Sequence, residues 1–325
     1  MRIVVFGAGA VGLGLGSFLL AGGAEVAFVA RADTAAALRR DGLARDGRFG
    51  AFRAGPRELA AAETPAELPA AFAAPDAVLV CVKSFDAEPA AAALAAAKDL
   101  VGERALVVVC QNGWGGAEPF ARALGAERVY GARVITGFAR PAPARVEVTA
   151  HAEPVAIGSL FGAPPGAAEP LCAVLRRGGL PAETTDRLEE LLLAKLLYNG
   201  CLNALGAVCG VPYGVLGASP PARAVMRDVA REAFRAFDAA GLRTRWPDAD
   251  AFLRCLYEEL LPPTAAHEPS TLQDLRAGRR TEIDALNGAV VRLAAAHGVE
   301  TPVNRALCEI VRILEAKAAR PGGAG

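Results

Sequence analysis

Six glycine- and alanine-rich residues, Gly7-Ala8-Gly9-Ala10-Val11-Gly12, stand directly after the apolar run Ile3-Val4-Val5-Phe6. A buried strand breaking into G-x-G-x-x-G is the layout of a dinucleotide-binding βαβ unit. Gly7 permits the tight turn, Gly9 lets backbone approach a pyrophosphate, and Gly12 lets the following helix pack close on the strand. That helix would aim unpaired N–H groups and its positive dipole end at the phosphates. Gly16, one turn on, would keep the same helix face thin. A second apolar run, Glu25-Val26-Ala27-Phe28-Val29-Ala30, follows at the distance a crossover helix needs. A chain this rich in alanine and glycine makes such strings by chance, and a Rossmann relic without a nucleotide keeps them. A signal peptide also begins with a basic residue and an apolar stretch, but the glycines from Gly7 to Gly23 suit its core poorly.

The 325 residues are enough for two domains. Hydrophobic content of 53% with 22% charged residues describes a soluble globular protein. With 35 basic and 35 acidic residues, no broad field attracts nucleic acid or an anionic membrane. The seven cysteines form no C-x-x-C pair and lie mostly in apolar runs, which favours a reducing cytoplasm over a disulfide framework. The three histidines have no metal-ligand spacing, so no metal is expected.

Up to about residue 185 short β runs (3–6, 25–30, 77–82, 105–110, 129–135) alternate with helical stretches such as 88–97 and 115–124. That pattern predicts an α/β fold with a Rossmann-type, doubly wound sheet. Residues 145–149 and 154–158 read as antiparallel strands appended to that sheet. From Asp186 onward the β signals stop, and 186–208, 218–240, 248–261, 279–297 and 303–318 carry helical periodicity. Ser219 before Pro220, and Thr301 before Pro302, are the expected helix caps. The expected organisation is a nucleotide-binding domain over 1–185 and an all-helical domain over 186–325, with an active site in the cleft between them.

Three polar residues, Lys195, Asn199 and Asn203, interrupt an apolar helix at intervals of four. Each lies about 40° round from the last, so all three share one face. Buried, a lysine and two carboxamides need partners; a solvated surface stripe reads equally well from spacing alone. A second cluster runs Ser270-Thr271-Leu272-Gln273-Asp274, Thr281-Glu282-Ile283-Asp284 and Leu286-Asn287-Gly288. Glu282 there also suits a helix cap or dipole partner. Gln111-Asn112-Gly113 follows the strand 105–110, at the strand end where open sheets hold ligands, although Asn-Gly is also an ordinary turn.

In their order and spacing these segments, with Arg31 after the second strand and Val82-Lys83, resemble the ketopantoate reductase (2-dehydropantoate 2-reductase) family over nearly the whole chain. The resemblance implies a Rossmann domain joined to a helical domain, and NADPH-dependent reduction of a 2-keto acid, ketopantoate, to pantoate in pantothenate biosynthesis. It implies Lys195 as general acid, because hydride arrival leaves an alkoxide that needs a proton and an adjacent positive charge. Glu282 matches a position at the nicotinamide end of the cofactor, and Asn112 one shared between cofactor and substrate. Asn199, Asn203 and Ser270 match substrate-binding residues. Gly137, in the loop after 129–135, matches a backbone contact to the cofactor. Gly7, Ala8, Gly9, Ala10, Val11 and Gly12 would cradle the pyrophosphate.

An arginine after the second strand suits the 2′-phosphate of NADP, where an acidic residue would suit NAD. Here the strand ends on Arg31, with Lys83 near it in the family's arrangement; Asp33, two residues on, reads as a helix N-cap. The same Arg31 in isolation reads as a solvated loop residue. Where the family commonly has another substrate-binding asparagine, this chain has Tyr213, which keeps a hydroxyl but adds bulk. Residues 137–150 also depart from the family's glycine-rich pattern. The expected protein is a cytoplasmic NADP-dependent reductase of a small 2-keto acid, with no nucleic-acid or membrane partner and a homodimer left open. The alternatives are a relative acting on another 2-keto acid, with Tyr213 reshaping the pocket, and a non-catalytic NADP-binding regulator.

Overall fold

A computed structural model describes residues 1–97, 101–102 and 104–318. Its contacts divide the chain into two compact units: Met1–Gln111 with Gly116–Leu188, and Asn112–Gly115 with Glu189–Gly325.

The first unit is built on an eight-stranded sheet. Its strands are β1 (Arg2–Phe6), β2 (Glu25–Val29), β5 (Leu59–Ala62), β6 (Ala77–Val80), β7 (Leu106–Val109), β8 (Val129–Arg133), β11 (Val155–Gly158) and β12 (Ala182–Thr184). They lie in the order β12-β11-β8-β7-β6-β1-β2-β5. Every pair is parallel except β11 with β8. Side chains alternate between faces, so Ile3 and Val5 join one apolar layer while Val4 and Phe6 join the other. Burial on both faces is why these strands read as unbroken apolar runs. The chain order reverses between β1 and β6, so the loop after β1 opens at the switch point of the sheet.

Residues 145–149 are not appended to that sheet. They belong to β10 (Arg145–His151) in a second sheet, ordered β4-β3-β10-β9, with β3 (Leu43–Gly47), β4 (Phe52–Ala54) and β9 (Thr136–Ala142). Residues 154–158 do join the main sheet, antiparallel to β8. The second sheet escapes an apolar-pattern reading because one of its buried residues is Arg45, which lies over the Phe18 ring at 3.8 Å from its centroid. A cation whose charge spreads over a ring face tolerates a site that hydropathy assigns to solvent. Gly137 is therefore a β9 residue paired with Ala150, not part of a loop, and 137–150 is a paired β segment.

The second unit is helical in its regular structure. Its elements include Leu188–Cys209, Tyr213–Ala218, Pro220–Ala239, Ala249–Cys255, Ser270–Arg276, Asn287–Ala296 and Pro302–Ala318. The stretch 279–297 is helical only from Asn287, after a short 3₁₀ turn at Ile283–Ala285. The helix Leu188–Cys209 is long and apolar enough to cross a membrane, yet 61% of its apolar window is buried within the protein. Its buried Leu193, Leu196, Leu197 and Leu202 belong to the same apolar cluster as Phe237, Phe252 and Val290, as a core helix's residues do.

Ser219 caps its helix as expected, accepting from the Ala222 N–H at 3.4 Å. Thr301 does not: its buried hydroxyl has no hydrogen-bond partner among the described residues. The buried Glu232 carboxylate, from the helix Pro220–Ala239, accepts instead from the N–H groups of Val303 and Asn304, each at 2.9 Å. A full negative charge at a helix N-terminus outcompetes a hydroxyl for those donors. Asp33 is likewise no cap, because it lies inside the first turn of the helix Ala32–Asp41, which Arg31 precedes.

Candidate active site

In the first unit the glycines of the β1 loop are dictated by contact. Gly7 has φ +105°, and a Cβ there would sit 2.6 Å from the Val82 nitrogen. A Cβ on Gly12 would meet the Gly7 carbonyl oxygen at 2.0 Å. At Gly9, by contrast, a Cβ would meet nothing within 4 Å. That residue begins the helix Ala10–Ala21, whose N-terminus carries no side-chain cap. Uncapped N–H groups opening onto space beside a bare backbone have the chemistry of an anion cradle.

Around this loop, Gln111 lies at the end of β7 and donates its amide to the carbonyls of Val82 and Lys83, each at 3.2 Å. This ties the backbone of Lys83 to the neighbouring strand end. Arg31 is 90% exposed and sits 3.8 Å from the Asp86 carboxylate. An exposed pair that loose contributes little, so it costs Arg31 little to exchange Asp86 for another anion.

The second unit assembles three residues that lie far apart in sequence. Lys195 Nζ donates to Asn112 Oδ1 at 2.8 Å. The other end of the same carboxamide, Asn112 Nδ2, donates to Glu282 Oε2 at 3.2 Å. Asn112 thus bridges a cation and a carboxylate with its polarity matched at both ends. Its placement depends on Gly113, with φ +92°, where a Cβ would lie 2.1 Å from the Ala285 carbonyl oxygen. The close approach lets the Trp114 N–H donate to that carbonyl at 3.0 Å. Glu282 is 8% exposed and precedes the 3₁₀ turn, where its own carbonyl accepts from the Ala285 N–H.

The stripe of the helix Leu188–Cys209 grades from half-buried at Lys195 and Asn199 to buried at Asn203. Asn203 Oδ1 accepts from the Tyr213 hydroxyl at 2.9 Å. Tyr213 is 2% exposed, and burial pushes its hydroxyl pKa far up, so it is a donor at any ordinary pH. Ser270 is exposed at the first position of the helix Ser270–Arg276. The structure thus brings Lys195, Asn112 and Glu282 into one hydrogen-bonded chain and joins Asn203 to Tyr213. Among the described residues, Ser270 and Asn199 are not part of either hydrogen-bonded group.

Sequence reasoning missed a supporting network. Asn287 Nδ2 donates to the Gly200 carbonyl on the lysine helix at 3.0 Å and to Asn304 Oδ1 at 3.0 Å; Asn304 Nδ2 in turn donates to Glu232 Oε2 at 2.7 Å. Asn287 and Asn304 have no exposed surface, and Glu232 has 3%. The available signal was position: Glu232 shares the face of its helix with the buried Val229 and Ala236.

Comparison with known proteins follows the same division. Residues 3–162 match the family model described as ketopantoate reductase PanE/ApbA, and residues 187–315 match its C-terminal companion. The 2-dehydropantoate 2-reductase of Aquifex aeolicus is 33% identical over 320 residues, covering 97% of both chains. The chain belongs to the ketopantoate reductase family. The family's 2-dehydropantoate 2-reductases are oxidoreductases. A PanE/ApbA family ketopantoate reductase of Ralstonia eutropha superposes with a TM-score of 0.85 at 33% identity, over 98% of this chain and 100% of that one. D-mandelate dehydrogenase, solved with NADH and anilino(oxo)acetate, shares the fold with a TM-score of 0.86 at 24% identity, over 98% and 100% of the two chains. The expected α/β class, a Rossmann-type unit followed by a helical one, is the fold of this family.

Proposed function

We propose that this protein is an NADPH-dependent 2-dehydropantoate 2-reductase, reducing the 2-keto group of ketopantoate to the hydroxyl of pantoate in pantothenate biosynthesis. The observation that carries the reading is the chain Lys195–Asn112–Glu282, with an ammonium, a carboxamide and a carboxylate in hydrogen-bond sequence. On this reading residues 1–185 form the cofactor domain and residues 186–325 the substrate domain, in a cytoplasmic enzyme.

The residues of the first unit fit a nicotinamide dinucleotide. The open approach at Gly9 and the uncapped helix behind it suit a pyrophosphate. Gly7, Ala8, Ala10, Val11 and Gly12 complete that turn. Arg31 and Lys83 supply positive charge for a 2′-phosphate, which selects NADPH over NADH. Gly137 is assigned a backbone contact to the same cofactor. When bound, the reduced nicotinamide supplies the hydride.

The remaining chemistry belongs to the side chains. Hydride arrival at C2 turns the carbonyl oxygen into an alkoxide, which the Lys195 ammonium stabilises and protonates, later regaining its proton from solvent. Asn112 holds Lys195 in place and turns its donor end to Glu282, which we assign to the nicotinamide end of the cofactor. Asn199, Asn203 and Ser270 bind substrate oxygens. A binding-only regulator has no use for the proton donor.

The test is NADPH oxidation, followed by absorbance, with ketopantoate and a panel of other 2-keto acids. A kcat/KM for ketopantoate above about 10⁴ M⁻¹s⁻¹ supports the reading. A better substrate elsewhere in the panel reassigns the substrate and keeps the reaction. Tight NADPH binding without turnover overturns the reductase reading.

A further inference from the structure

Tyr213 differs from the other polar residues near the lysine helix in how completely its surroundings hold it. Its ring meets Tyr198 edge-on at 5.8 Å and packs against His267 at 5.2 Å, and its backbone N–H donates to the His267 carbonyl at 3.1 Å. Tyr198 is itself held through its hydroxyl to Thr264 Oγ1 at 2.7 Å. With the ring clamped, the Tyr213 hydroxyl points toward Asn203 Oδ1.

A carboxamide is a donor at one end and an acceptor at the other. Flipping Asn203 would turn its N–H toward the Tyr213 oxygen and leave the buried phenolic proton without an acceptor, the penalised state for a buried donor. Tyr213 therefore fixes which end of Asn203 is spent inside the protein. The acceptor is consumed and the N–H donors remain.

Position along the helix says what those donors serve. Asn203 lies eight residues, about 12 Å along the axis, from Lys195. The carboxylate of a 2-keto acid adjoins the carbonyl that Lys195 would protonate, which leaves the substrate's side chain as the part for a group two turns away. We infer that Tyr213 is a specificity-determining positioning residue: acting through Asn203, it presents N–H donors to an oxygen at the end of the side chain of a 2-keto acid substrate. This rests on the reductase reading and adds to it the residue that orients Asn203 toward that oxygen. It also reassigns Tyr213 itself, from a substrate ligand to a residue that orients one.

The test compares two substrates that differ in that oxygen alone: 2-dehydropantoate and 3,3-dimethyl-2-oxobutanoate, which lacks its hydroxyl. Wild type should prefer the hydroxylated acid. Tyr213→Phe, which keeps the ring and the packing, should lower kcat/KM for 2-dehydropantoate about tenfold, mostly through KM, and change the value for the other acid less than about twofold. In an Asn203→Ala background the same substitution should have no further effect, because a residue acting through Asn203 is silent once Asn203 is gone. Equal losses on both acids, additivity in the double variant, or no wild-type preference would each overturn the inference while leaving the reductase reading intact. A wild-type enzyme that reduces neither of these acids nor any other 2-keto acid of the panel removes that reading, and the inference falls with it.

Discussion

Asn112 donates its side-chain amide to Glu282 across 170 positions of sequence, and the carbonyl end of the same group receives the Lys195 ammonium. One carboxamide therefore sets the orientation of both charged residues. Asn112→Ala should lower kcat/KM with ketopantoate by tenfold or more, at about the cost of two charge-assisted hydrogen bonds. Asn112→Asp should also lower the melting temperature, because it sets a second carboxylate within hydrogen-bond reach of Glu282. Steady-state kinetics and a thermal melt check both; full activity in Asn112→Ala would remove the bridge from the mechanism.

Lys195→Ala tests the proton donor. Loss of a general acid costs about 10²–10⁴ in rate. The drop should appear in kcat, with NADPH affinity nearly unchanged in a fluorescence titration. Turnover surviving within a few-fold would exclude the role.

Arg31→Ala tests cofactor choice. The side chain is exposed and its ion pair to Asp86 is long, so removing it leaves the fold untouched. The variant should bind NADPH at least tenfold more weakly and NADH about as before, by titration with each. Equal weakening of the two would overturn the argument from the 2′-phosphate.

Glu232→Ala and Thr301→Val should rank opposite to what their positions in the sequence suggest. Glu232 accepts from two backbone N–H groups and the Asn304 amide, so its loss should cost about 2–4 kcal/mol by urea unfolding. The buried Thr301 hydroxyl has no partner among the described residues, so a methyl of the same shape in its place should leave stability within about 1 kcal/mol or raise it. A large loss in Thr301→Val would restore its hydroxyl as the cap.

Thiol reactivity follows burial. Burial pushes the Cys172 and Cys201 thiols up to about 12 and Cys308 to about 11, whereas Cys209 is exposed. A raised pKa means less thiolate at a given pH, and thiolate is the reactive form. Brief alkylation of the native protein at pH 8, read by peptide mass spectrometry, should modify Cys209 and spare those three. Early labelling of Cys201 would contradict its burial.

The sequence alone determined what rests on local periodicity. Strand β1, the Gly7–Gly12 turn and its helix, the alternation up to residue 185 and the polar stripe at Lys195, Asn199 and Asn203 are each set by neighbours within a few turns of chain, so they were legible there. Gly12 was assigned to close packing, and the Gly7 carbonyl is what it packs against. The tertiary structure decided whatever depends on partners distant in sequence. Hydropathy scores an arginine as solvated even where it is buried on a phenylalanine ring, so β3 was hidden. A cap that a carboxylate supplies from another helix leaves no trace beside Thr301. Nothing local in Asn112, Lys195 and Glu282 says that one amide joins all three, or that the Tyr213 hydroxyl takes the acceptor end of Asn203. Side-chain hydrogen bonds depend on distances of a few tenths of an ångström and on direction, and only the packed chain sets either.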